Sequence, residues 1–158
     1  MPAWYAKRMG LDIWPKGRYD EEGDVLLADA PTAQWSYSGF HRFRRLIAAE
    51  DGIDLDAMAG FTDLMPFPEE GRQPGRPWIE VTTTLAPLLN HSDCEGELTP
   101  DECTAILPRL KEIRVKWAAD VLLLGDFEDR GKWDVQKLDA LIDVVTYCAA
   151  TGRNVDFR

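Results

Sequence analysis

Apolar and polar residues alternate over Met9–Trp14, with Leu11 and Ile13 on one side of the chain and Asp12 on the other. That is the period of a short strand. Thr32–Tyr37 predicts another strand, with Trp35 and Tyr37 on one face, and Val25–Leu27 predicts one between them. The period then changes. Phe40, Phe43, Leu46 and Ile47 recur at helical spacing, so a helix is expected over Gly39–Glu50, ended by Gly52. A further short helix is expected at Asp54–Met58 with Asp54 as its cap. Phe61–Pro77 is rich in Pro, Gly and Glu and has no period, which marks a long mobile or functional loop.

The second half of the chain is dominated by helical spacing. Thr82–Thr84 offers a cap, and Pro87 restricts the helix that follows to about Thr84–Asn90. Cys103, Ile106, Leu107, Leu110, Ile113 and Trp117 form one stripe, predicting a helix over 100–118 with a kink at Pro108. Val121–Leu124 fits either a buried strand or continued helix. The clearest helix is Asp134–Thr151, with Leu138, Leu141, Ile142, Val145, Cys148 and Ala149 on its stripe and Gly152 as its stop. Asn154–Arg158 alternates and predicts a final strand. The expected architecture is one α+β domain over 9–158, with 1–8 as an extension. In it a small antiparallel sheet is covered on one face by three main helices.

Composition narrows the function classes. A chain of 158 residues is long enough for a real core. Its net charge of −10 argues against non-specific nucleic-acid binding, which needs an excess of Lys and Arg. That charge suits cation binding, basic partners or plain solubility. No apolar run has membrane-spanning length and no signal-peptide pattern opens the chain, so a cytoplasmic protein without membrane contact is expected. Cys94, Cys103 and Cys148 form no CxxC pair and are expected as free thiols, with Cys148 in the core. Zinc held by His91, Cys94 and Cys103 would match no familiar ligand spacing.

Two stretches carry candidate chemistry. The first is the densest run of special-purpose residues, 90–103. Counted from His91 as position 1, Asp93 falls at 3, Glu95 at 5, Gly96 at 6, Leu98 at 8, Thr99 at 9 and Glu102 at 12. An EF-hand loop puts oxygen ligands at 1, 3, 5 and 12 and a Gly at 6. The candidate metal set is therefore Asp93, Glu95, Glu97 through its carbonyl, Thr99 and Glu102. His91 replaces the first-position Asp, and imidazole is a poor ligand for a hard cation, so no cofactor is expected and any calcium binding would be weak. The competing reading is a capping box, Thr99-Pro100-Asp101-Glu102, which needs no metal. An EF-hand-like helix-loop-helix is expected under either reading.

The second stretch is Ser36–Arg45. His41, Arg42, Arg44 and Arg45 make the one basic cluster in an acidic chain, and Ser36 and Ser38 stand at the electropositive start of the predicted helix. Either this is a solvated face with ion pairs, or it is an anion site built from Ser36, Ser38, His41, Arg42 and Arg45, with His91 and Asp93 joining if the two stretches meet. No Gly-x-Ser-x-Gly, P-loop, dinucleotide fingerprint or HExxH is present.

The chain also resembles a family of small uncharacterised bacterial and phage proteins. The resemblance rests on Met9–Ile13 (MGLDI), Ser36–Phe40 (SYSGF) with Phe43-Arg44, Asn90–Asp93 with Cys94 and Gly96 (NHSDC-G), and Pro100 with Glu102-Cys103. It implies no activity. The function expected is that of a small non-enzymatic cytoplasmic binding protein whose partner is an unknown protein or a small anionic ligand. The alternative is a hydrolase or nucleotide-processing enzyme with its site between SYSGFHRFR and NHSDCEG.

Overall fold

A computed structural model describes residues 10–62, 74–92, 95–124 and 129–158. The expected extension at 1–8, most of the loop expected at 61–77, and the candidate residues Asp93 and Cys94 lie outside the described residues. Strand β1 is Leu11–Pro15, β2 Ala33–Trp35, β3 Gly96–Leu98 and β4 Val155–Phe157. They form one antiparallel sheet in the order β2-β1-β4-β3. Helix α1 is Tyr37–Glu50, α2 the single turn Ala86–Leu89, α3 Pro100–Leu124 and α4 Asp129–Thr151. Short 3-10 turns occupy Leu55–Ala57 and Trp78–Glu80. The architecture is α+β, as the pattern of the sequence predicts.

The alternation in β1 sends Leu11 and Ile13 to the helical side, where Val155 and Phe157 of β4 and Trp35 of β2 join them. Phe40, Phe43 and Ile47 from α1 pack there with Ile106, Leu110 and Ile113 from α3 and Leu138, Leu141 and Val145 from α4. Each such side chain contributes roughly 1.5–3 kcal/mol on leaving water. β4 closes the fold because Arg158 and Asp12 exchange main-chain bonds of 2.6 and 2.9 Å. The other sheet face is covered as well: Asp12, Trp14 and Asp156 are buried, and Tyr19 meets Trp14 edge-on at 5.0 Å. The sequence predicts helices on one face only and is silent about this second cover.

Several boundaries differ from those expected. Val25–Leu27 is irregular, with one isolated bridge between Val25 and Tyr19 and a bend at Leu26. Arg18 holds this segment through the carbonyls of Leu27 and Ala30, leaving Val25 and Leu26 exposed. α1 starts at Tyr37, two residues before Gly39, because the Ser36 hydroxyl accepts from the Gly39 amide and fixes the first turn. Val121–Leu124 continues α3, and Leu122 and Leu123 are exposed, so the buried-strand alternative is wrong. α3 runs on through Pro108. Cys103 and Cys148 are buried free thiols, and burial pushes them up to about 11 and about 12. Among the described residues no helix is long and apolar enough to cross a membrane.

Candidate functional site

The basic turn of α1 is bound into the fold at every position. Arg42 donates to both oxygens of Asp134 at 2.8 and 3.0 Å, a fork that ties α1 to the start of α4. His41 Nε2 lies 3.1 Å from Asp56 Oδ1, and Arg45 Nη2 lies 2.9 Å from Asp56 Oδ2. Arg44 is fully buried. Its guanidinium lies over the rings of Phe40 and Phe61, at 4.9 and 5.3 Å from their centroids. Its Nη1 donates to the carbonyls of Leu89, at 3.3 Å, and His91.

The sequence places Arg44 in the basic cluster but gives it no role. A signal was present: Phe40, Arg44 and Ile47 fall at i, i+4 and i+7, so Arg44 sits on the apolar stripe itself. A charge there must find polar partners inside. The end of α2 and the loop that follows it supply them, since the last carbonyls of a helix have no partner within it.

At the second stretch, His91 Nδ1 lies 2.8 Å from the Ser92 carbonyl. A carbonyl can only accept, so Nδ1 carries the proton and Nε2 presents a lone pair. Nε2 is shielded from solvent without a partner among the described residues. The ring packs on Phe157 at 4.3 Å and lies against Gly96. A Cβ on Gly96 would sit 2.5 Å from Cε1 and closer still to Nε2. Burial, with the Arg44 charge adding to it, holds the imidazole below its ordinary pKa.

The remaining loop residues serve the fold. The Thr99 amide donates to Glu102 Oε1 at 2.9 Å, and the Glu102 amide donates to Thr99 Oγ1 at 3.2 Å, forming the capping box of α3. Glu97 accepts from Lys16 at 2.5 Å and from Asn154 at 2.8 Å, bracing the β3 edge. Glu95 is exposed. Gly96 opens β3 with φ +140°, paired with Phe157. Among the described residues no group of three His, Cys, Asp or Glu side chains is placed to hold a metal ion.

The two stretches therefore meet, but through Arg44 and main-chain carbonyls. The side chains of His41 and Arg45 turn to Asp56, that of Arg42 to Asp134, and that of His91 to the sheet. An open groove of about 390 Å³ borders Arg45, Ile53 and Leu55; neither His41 nor His91 lines it. Ser36 caps α1, and Ser38 is exposed one turn before the basic residues. Lys137 of α4 has no counterpart in the sequence reading. It donates to the Gln34 carbonyl and stands over Trp35 and Trp133, at 5.3 and 5.2 Å from the ring centroids. Only its spacing from Trp133 was visible in the sequence. Compared with protein-family models, with curated protein sequences and with solved structures, the chain matches none.

Proposed function

We propose that this chain is a non-enzymatic binding protein of a bacterial or phage-infected cytoplasm. One observation carries the reading: both imidazoles and all the guanidinium groups of the two motifs are engaged in holding elements together. A general base has to reach substrate with an available nitrogen. His91 Nδ1 is held by Ser92, and Nε2 faces Gly96 and Phe157. His41 Nε2 is held by Asp56. These contacts support a scaffold role over the hydrolase alternative.

The test is a turnover screen with phosphate mono- and diesters and nucleoside triphosphates, with and without magnesium. Thermal midpoints are recorded alongside, because a ligand that binds only the folded state raises the midpoint. Midpoint shifts without turnover are expected. Turnover that disappears in His41→Ala or His91→Ala, with the fold retained, would overturn the reading.

A further inference from the structure

α3 carries two apolar stripes, and the core uses one of them. Cys103, Ile106, Leu110 and Ile113 are buried, and Trp117 is the last side chain of the helix packed against the core among the described residues. Val115, Ala119 and Leu122 fall at i, i+4 and i+7 on the opposite side of the helix, with Leu123 beside them. Val115 is 66% exposed, Leu122 85% and Leu123 83%. Helix propensity does not ask for these residues, since Lys, Glu or Gln serves as well as Leu at an exposed helical position and Val serves worse.

Two properties of this outward stripe select its occupant. The first is size. The three large side chains leave on the order of 300 Å² of apolar surface in water, a patch of the size that is often functional on a monomer. A standard interface takes about 800 Å² from each partner, a little over half of it apolar. The stripe therefore supplies the larger part of the apolar core of one small, reversible interface, and far less than an obligate dimer buries. The second property is charge. The chain carries −10, so copies repel unless the contact itself brings opposite charges together. Lys111 stands one turn before Val115, exposed and without an ion pair among the described residues. The other cations of this half of α3 are held by carboxylates of the chain, Arg109 by Asp51, Arg114 by Asp139 and Lys116 by Glu50. Beyond Ala119 the sign reverses: Asp120 is exposed, and the sequence from 120 to 129 has four carboxylates and no cation. Parallel pairing would set that acidic end on its own copy, whereas antiparallel pairing sets it against Lys111.

We propose that the outward face of α3, formed by Val115, Ala119, Leu122 and Leu123, docks on the same face of a second copy of this chain, the two helices antiparallel about a two-fold axis at Ala119. A closed symmetric pair needs one patch that fits itself. Ala119 meets itself on the axis and is small enough to let the helices approach. Val115 of each copy then packs against Leu122 and Leu123 of the other. The pairing goes beyond the binding-protein reading and does not depend on it.

The test is sedimentation of the full chain between about 10 μM and 1 mM, a range suited to an interface of this size. The weight-average mass should rise from 17.9 kDa toward twice that value. Leu122→Asp, with its far-UV spectrum unchanged, should weaken the association at least tenfold, and Val115→Asp serves if the first variant alters the fold. A chain that stays at 17.9 kDa throughout overturns the pairing, whatever else binds the stripe, and so does association that persists unchanged in both folded variants. Orientation is read from cross-linking under mild oxidation, with wild type as the control for the native thiols. Ala119→Cys should link to itself across the axis and Val115→Cys should not. Lys111→Glu should weaken association at 50 mM salt and have little effect at 1 M, where surface charges are screened. Self-linking at Val115→Cys, or no effect of Lys111→Glu at low salt, would overturn the antiparallel arrangement.

Discussion

The two halves of α1 carry similar polar chemistry and use it in opposite ways. In the second turn, His41, Arg42, Arg44 and Arg45 all face partners within the chain: Asp56, Asp134 and the carbonyls of Leu89 and His91. In the first, the Tyr37 and Ser38 donors and the neighbouring Trp35 indole meet no acceptor among the described residues. Charge density in a sequence therefore does not mark a ligand site. The four basic residues are the one basic cluster of the sequence, and folding consumes them. A ligand can engage only the polar capacity left over once the fold has been assembled. Variants in the second turn should cost more stability than variants at the exposed Tyr37 and Ser38.

Arg44→Met is the strongest way to break that comparison. Methionine fills much of the space between Phe40 and Phe61 but leaves the Leu89 and His91 carbonyls without this donor. Hydrogen bonds from charged donors contribute about 1.5–3 kcal/mol, and a stranded buried acceptor adds to the loss. A drop of about 3 kcal/mol in denaturant unfolding is expected. A loss under 1 kcal/mol would remove Arg44 as the link between the two motifs.

How far the sequence foretold this follows from the same distinction. Periodicity located β1, α1, α3, α4 and β4, because burial imposes the spacing directly on those segments. The capping box was readable because both of its partners lie within four residues. The partners of Arg42, Arg44 and Lys137 were not. Asp134 is 92 positions from Arg42, the Leu89 carbonyl is 45 from Arg44, and the Gln34 carbonyl is 103 from Lys137. Two of those three acceptors are main-chain carbonyls, which every residue has, so no side chain announces them. Val25–Leu27 misled for the converse reason: an apolar run looks like a strand, but here its pairing stops at a single bridge to Tyr19, and Val25 and Leu26 stay exposed.

The next effect in size concerns Gly96. Its Cβ would collide with the His91 ring, and φ +140° is strained for any other residue. Gly96→Ala should cost about 2–3 kcal/mol. If the imidazole is the main obstacle, a His91→Ala background should recover part of that loss, and a double-mutant cycle measures the coupling. Additive effects would mean that the glycine is there for its backbone alone. An EF-hand position-6 turn would give that additive result.

A smaller and pH-dependent effect comes from the same imidazole. The folded state holds His91 below its unfolded pKa of 6.5, by burial first and by the Arg44 charge in addition, against the pull of the Ser92 carbonyl and Glu102. Below that pKa the unfolded chain binds the proton more readily, so stability falls with falling pH. The contribution should be complete above pH 6.5 and decline from there down through the folded-state pKa. Glu97, lowered by Lys16 and Asn154, and Glu50, where Lys116 and Trp117 outweigh burial, lose their contributions only in the acid range below. Unfolding midpoints between pH 7.5 and 5.5 should therefore fall more steeply in wild type than in His91→Gln. Parallel curves would show that the ring leaves its seat on Gly96 when protonated at no cost.

The smallest effect decides between cap and cation at the head of α3. Thr99→Ala removes the hydroxyl that accepts from the Glu102 amide and should cost about 1 kcal/mol, the usual worth of an N-cap. Glu102→Gln keeps an oxygen for the Thr99 amide, so a loss of only a few tenths of a kcal/mol is expected, since glutamine also serves at this position. The cation reading predicts another outcome, because Glu102 would be the bidentate twelfth-position ligand and glutamine would replace a charged oxygen pair with one neutral oxygen. Thermal midpoints of wild type and Glu102→Gln, each with and without millimolar calcium, discriminate between them. With Glu102 Oε1 already accepting from Thr99, neither midpoint should move with calcium. A rise in wild type that vanishes in Glu102→Gln would show that the carboxylate leaves the cap for a metal, and that the 91–102 stretch has polar capacity to spare after all.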